Sequence, residues 1–107
     1  MTSRSDPGIE ELRIVILKLH GVKATHRESV PVTEVFQGKT IWDGVVEVFD
    51  LHGHPKTHRV YAWAHATDDP KHPRQHVTVL HIPPAISPLM AVRTAIAAEV
   101  RRAQAQA

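Results

Sequence analysis

The chain has no cysteine, which excludes disulfides, thiolate metal sites and a cysteine nucleophile together. Any metal would have to be held by His, Asp or Glu. Aromatic residues are scarce, with two Trp, one Tyr and two Phe in 107 residues, and none lies in an RNA-binding aromatic signature. The glycines, Gly8, Gly21, Gly38, Gly44 and Gly53, stand apart from one another, so no phosphate-cradling loop can be assembled from them. Long apolar runs are missing as well. Ile14-Val15-Ile16-Leu17 stops at Lys18, far short of the roughly 20 residues that a membrane-spanning helix requires. The charge is balanced, 13 Lys and Arg against 11 Asp and Glu for a formal +2, and no block of five or more like charges marks a nucleic-acid tail. The first residues, Met1-Thr2-Ser3-Arg4-Ser5-Asp6-Pro7, carry no apolar stretch before a cleavage site, so the expected location is cytoplasmic.

What is present in excess is histidine, nine residues in all. Five of them fall in two short stretches, 52–58 and 72–76. Histidine titrates near neutrality and is the commonest metal ligand, so these stretches are the main chemical signal of the sequence. The length and an apolar content of 42% suit a single globular domain over residues 1–107. Its ends, 1–8 and 103–107, are expected to fray.

The clearest element is the last. Ser87 is a good N-cap, Pro88 suits the first helical position, and Leu89, Val92, Ile96, Val100 and Ala103 recur every three or four residues as one apolar stripe. Pro83-Pro84 ends whatever precedes it. Residues 30 to 82 read as an antiparallel meander: Val30 to Phe36, Thr40 to Leu51, Thr57 to Ala66 and His76 to Ile82, with polar or glycine-containing connections between them. Gly38 can supply the positive φ that the first hairpin needs. Residues 9–21 carry both signals. Ile9, Leu12, Ile16 and Leu19 share a helical face between Asp6-Pro7 and Gly21, but the β-branched run Ile14-Val15-Ile16 tips the expectation towards a strand. The expected fold class is α+β: a four- or five-stranded antiparallel meander sheet with a C-terminal amphipathic helix packed on one face.

Alternation divides the third strand into a small face, Val60, Ala62, Ala64 and Ala66, and a large one, Arg59, Tyr61, Trp63 and His65. By size, the small face is the expected bed for the alanine-rich C-terminal helix. The large face, extended by Val45, Phe49 and Leu51 of the neighbouring strand, is then open to three uses: ordinary core under a second layer, the interface of a two-fold homodimer, or a platform for a ligand or a stacked base. Arg59, Tyr61, Trp63, His65 and Phe49 are therefore the candidate binding face.

In a meander, loops 51–56 and 67–75 lie at opposite ends of the sheet, roughly 17–20 Å apart for strands of ordinary length. One end gathers His52, His54, His58 and His81 as a candidate zinc or nickel site. The other gathers His65, His72 and His76 with Asp68 or Asp69. No His-Glu-x-x-His pair or other metal signature accompanies them, and solvated loop residues are the simpler reading. Ser3, Ser5, Ser29 and Ser87 form no Gly-x-Ser-x-Gly elbow, and Asp43 and Glu47 on one strand face are an unremarkable solvated pair. With no catalytic constellation in view, the sequence points to a small cytoplasmic accessory or binding protein, without a cofactor, acting through protein–protein contacts as a homodimer. Two alternatives differ in class: a histidine-ligated metal protein, including a hydrolase, and a nucleic-acid-binding module using Arg59, Lys71, Arg74 and the aromatic face.

Overall fold

The computed structural model describes residues 7–106. Helix α1 (Pro7–His20) leads into strands β1 (Lys23–Phe36), β2 (Lys39–His52), β3 (Arg59–Ala66) and β4 (Arg74–Leu80), and helix α2 (Pro88–Gln106) closes the chain. The strands form one antiparallel sheet in the order β1-β2-β3-β4. This is the expected α+β meander with the C-terminal helix against a sheet face. Within the described residues, 7–8 and 103–106 are assigned to the two helices; the rest of the ends expected to fray lies outside the described residues.

The expectation of a strand over residues 9–21 is overturned. Leu12 and Ile16, four apart, are buried against Ala24, Phe49, Leu51, Val60 and Ala62, while Ile14, Leu17 and Leu19 point to solvent. β-Branched residues cost only tenths of a kcal/mol each in a helix, whereas burying a Leu or Ile side chain is worth about 1.5–3 kcal/mol. Packing decides. Gly21 ends the helix at φ +72°, and its N–H donates to the Leu17 carbonyl at 2.9 Å, a glycine-terminated C-cap.

The helices lie on opposite faces, and the face assignment is the reverse of the expected one. Helix α2 packs through Ala91 and Val92 on Val32, Val46, Val48, Tyr61 and Trp63, the large face. Helix α1 takes the small face with Val60 and Ala62. Alanines on α2 leave room for the aromatic rings, and the larger Leu12 and Ile16 of α1 fill the space over the sheet alanines. Phe49 and Leu51, expected on the aromatic side, belong to the α1 side.

Strand β1 serves both layers. Ala24 packs under α1 and Val32 under α2, although both are even-numbered. The register shift between His26 and Glu28 supplies the extra residue that reverses the alternation. The β1–β2 hairpin turns through Gln37 (φ +52°) and Gly38 (φ +78°), the two positive φ angles of a type I′ turn. Ser87 caps α2 as expected, its Oγ accepting from the Met90 N–H at 3.2 Å. No helix among the described residues is long and apolar enough to cross a membrane.

Candidate functional site

The five residues of the expected binding face do not share one accessible surface. Tyr61 and Trp63 are 2% and 4% exposed and Phe49 is fully buried, the first two beneath α2 and the third beneath α1. Arg59 lies half-buried at one end of β3, 3.7 Å from Asp50, and His65 is exposed at the other. The first of the three uses open to the large face, core under a second layer, accounts for Tyr61. Trp63 belongs to the same core and, with His65, also takes part in something else.

They line a cleft of about 730 Å³. Two departures from regular packing make it. The β2–β3 ladder stops at Glu47↔Ala62, so residues 39–46 of β2 and 63–66 of β3 lie outside it. Across that interval Trp42 meets Trp63 edge to face, ring centres 5.6 Å apart. Gly44 permits this, since a Cβ there would sit 3.1 Å from the Trp42 ring. Above the sheet, α2 rises along its length. Ala91 and Val92 are fully buried, Ala95, Ile96 and Ala98 half-buried, and Glu99 and Val100 exposed. The floor is Trp42, Trp63, Val77 and Val79; Asp43, His65, Gln75, Glu99 and Arg102 stand around it. A cleft of this size, its accessible lining divided almost evenly between polar and apolar surface, has the dimensions of a small-molecule site. Trp63 and His65 were legible as candidates. Trp42, Ile96 and Arg102 were not, because the interrupted ladder and the rise of α2 leave no local trace in the sequence.

The histidines divide among separate partners. His52 Nε2 is 2.7 Å from Thr25 Oγ1. His54 Nδ1 accepts from the N–H groups of Lys56 at 3.0 Å and Thr57 at 3.3 Å, which organises the β2–β3 loop. His81 Nδ1 bonds the Tyr61 hydroxyl at 2.6 Å, with the His58 ring 6.0 Å away. His20, which sequence reasoning left out of this group, joins the same end: its Nε2 is 3.0 Å from Thr78 Oγ1 and its ring 6.2 Å from His54. Burial and then the neighbouring His54 push the His20 pKa down. Burial, Arg59 and His58 do the same to His81. At the far end, His72 pairs with Asp69 at 3.1 Å and His76 with Glu11 at 3.1 Å, and His65 Nδ1 lies 3.2 Å from the Ala66 carbonyl. Among the described residues no group of three or more His, Asp or Glu is gathered to hold a metal ion. The candidate set His52, His54, His58 and His81 shares one end of the sheet without converging on a point.

One cluster resembles a nucleophile relay by composition alone. Ser29 Oγ and His26 Nε2 lie 2.5 and 2.8 Å from the same oxygen of Glu47, and 3.4 Å from each other. A relay needs the carboxylate on one imidazole nitrogen and the hydroxyl on the other. Here both meet Nε2, and Glu47 competes with the histidine for the serine proton. The cluster is a polar staple between β1 and β2. Of the basic residues suggested for nucleic acid, Arg59 faces Asp50 and Arg74 faces Glu11 at 3.3 Å, so their charge is partly answered within the fold.

Comparison with known proteins finds no matching family model, curated protein or solved structure.

Proposed function

We propose that this chain is a small cytoplasmic binding protein that works through protein–protein contact, its first partner being a second copy of itself. The observation that carries the reading is the uncovered face of the β1–β2 hairpin. On its α2 side Val32 is buried with Ala91 and Val92 of the helix, and Arg93 pairs with Glu34 at 2.5 Å. On the other side α1 covers the inner part of the sheet around Phe49 and Val60 and leaves the outer part open. Val45 is 47% exposed there, and Val35 and Ile41 near the hairpin tip are exposed as well. Pro31 lies opposite Val45, and Thr33 opposite Asp43. A two-stranded ribbon is marginal alone, and a face of this kind is stabilised when a second sheet stacks on it. Two copies related by a two-fold axis would each present the same patch, so Val45 of one would meet apolar surface of the other.

The test is native mass spectrometry with light scattering on the full chain, alongside Val45→Asp and Ile41→Asp. The expected result is a dimer that becomes monomer in both variants with unchanged circular dichroism. A wild-type chain that stays monomeric at its highest soluble concentration overturns the reading. So does a dimer indifferent to both substitutions.

A further inference from the structure

We propose that the outer edge of β4 pairs antiparallel with β4 of a second copy, across a two-fold axis that passes through the sheet at Val77, as a contact separate from the hairpin face. The sheet has two edge strands, β1 and β4, and they differ in kind. Along β1, Pro31 has no N–H to offer, the register shifts between His26 and Glu28, and Lys23, Arg27, Glu28 and Glu34 place charge on the strand. These are devices that keep an edge from pairing. β4 has neither proline nor bulge: its seven residues match β3 without a shift, and Arg74 at its start is its one fixed charge. Among the described residues, backbone meets its outer side only at its end, where the Ile82 N–H donates to the Leu80 carbonyl at 2.8 Å. The cleft runs on past this edge, since Leu19, His76 and Thr78 line it together with Val77 and Val79. Both sides of β4 are open to a further strand.

The ladder fixes which backbone groups are free. The His81 N–H donates to the Arg59 carbonyl and the Thr67 N–H to the Pro73 carbonyl, both in the register that sets Val60 opposite Leu80. Hydrogen-bonded pairs alternate along an antiparallel ladder, so the odd-numbered residues of β4 bond to β3, and Arg74, His76, Thr78 and Leu80 turn their backbone groups outward. One register uses them all. With Val77 on the axis, His76 faces Thr78 of the other copy and Arg74 faces Leu80, so every outward residue meets an outward residue. Centring on His76 would oppose two histidines and leave Leu80 unpaired; centring on Thr78 would leave Arg74 unpaired.

The charge on α2 suits the same axis, which sets the two α2 helices antiparallel on one side of the joined sheet. Val92, Ala95, Glu99 and Arg102, spaced three or four apart, line the space above β4. Glu99 and Arg102 lie 4.0 Å apart and mostly in solvent, 61% and 66% exposed, a pair that contributes little within one helix. In an isologous contact the acid of each helix can meet the base of the other, so a surface bearing one of each sign is complementary to itself. One short strand and one helix stripe make a small interface. It therefore forms at higher concentration than the hairpin pairing and joins those dimers into larger assemblies.

The chain has no cysteine, so a single introduced thiol reports the axis. Opposed residues at a non-hydrogen-bonded position have Cα atoms about 4.5 Å apart, within disulfide range. Val77→Cys, in the Val45→Asp background that removes the hairpin pairing, is expected to give a disulfide-linked dimer under mild oxidation. Gln75→Cys is more exposed but falls opposite Val79, roughly 13 Å or more from its own copy, and is expected to stay monomeric. Sedimentation of the Val45→Asp chain should show a dimer at high concentration. Thr78→Pro, which removes an outward N–H and no bond to β3, should weaken that association about tenfold or more. Arg102→Glu should weaken it several-fold, and adding Glu99→Arg should restore it. Absence of the Val77→Cys dimer overturns the proposal, and so does equal cross-linking by Gln75→Cys. Association indifferent to both Thr78→Pro and Arg102→Glu overturns it too. Circular dichroism of each variant separates loss of the contact from loss of the fold. Because Val45 is replaced throughout, failure here leaves the hairpin reading standing. A chain that cross-links through Val77→Cys and whose dimer ignores Val45→Asp and Ile41→Asp would uphold the β4 contact and overturn the hairpin reading alone.

Discussion

The Tyr61 hydroxyl and His81 Nδ1 stand 2.6 Å apart, which ties the segment after β4 to the middle of the buried large face. The same segment is held by its backbone: the His81 N–H donates to the Arg59 carbonyl at 3.0 Å, and the Thr57 hydroxyl donates to the His81 carbonyl at 2.9 Å. Because this segment leads into α2, the contact helps to set where the helix lands.

The pair carries a pH dependence. Burial, Arg59 and His58 lower the His81 pKa, and burial with His54 lowers that of His20. A histidine with a folded pKa below its unfolded value is bound to a proton more readily in the unfolded chain. Its stabilisation is complete above the unfolded pKa of about 6.5 and is lost as pH falls through the lower folded value. The melting temperature should therefore fall between pH 7.5 and pH 5, above the range where Glu11, Glu34 and Asp69 with their lowered pKa values begin to protonate. His81→Gln should flatten the curve. A melting temperature that is level or rises on acidification would contradict the assignment.

The two sides of α1 should respond very differently to truncation. Ile16 is fully buried while Leu19 is 62% exposed. Ile16→Ala is expected to cost about 2–5 kcal/mol, and Leu19→Ala to stay within about 0.5 kcal/mol. Urea unfolding of both variants measures the contrast directly. Comparable losses would mean that residues 7–20 do not sit on the sheet as a helix.

At the hairpin tip, Gln37 adopts φ +52°, which costs a residue with a Cβ about 1–2 kcal/mol and is better tolerated by asparagine. Gln37→Asn should stabilise the chain by roughly 0.5 kcal/mol, and Gly38→Ala should destabilise it by ~1 kcal/mol. The sign of the first change, read from thermal melts, is the decisive outcome.

Removing the α2 cap should be felt in stability. Ser87 Oγ accepts from the Met90 N–H, and Ser87→Ala is expected to cost about 1 kcal/mol. Ser87→Asp should restore it, since a carboxylate caps the same N–H and favours the helix N-terminus. Failure of aspartate to rescue would point to a steric rather than a capping role.

The histidine stretches were conspicuous in the sequence and their placement at the two ends of the meander followed from strand order. What each ring does was not legible. His54 caps its own loop, whereas His81 reaches Tyr61 and His20 reaches Thr78. Such pairings depend on side-chain direction across elements far apart in the chain. Tyr61 and Trp63 were legible as one face on alternation alone, whereas Phe49 was expected on that face and lies on the other, and Trp42 became the neighbour of Trp63 because a ladder ended early.

The sequence by itself determined the local elements: Ser87-Pro88 and the spacing of Leu89, Val92 and Ile96 specify α2, and alternation with turn residues specifies four strands in order. Capping, φ preference and periodicity act over a few residues, so they can be read from a few residues. Tertiary structure decided the rest. Residues 7–20 became a helix despite Ile14-Val15-Ile16 because burial of Leu12 and Ile16 outweighs a weak local preference. Each helix found its face through the fit of large side chains on small ones. The bulge in β1 and the early end of the β2–β3 ladder are compromises among three layers at once, and the cleft exists only where those compromises meet.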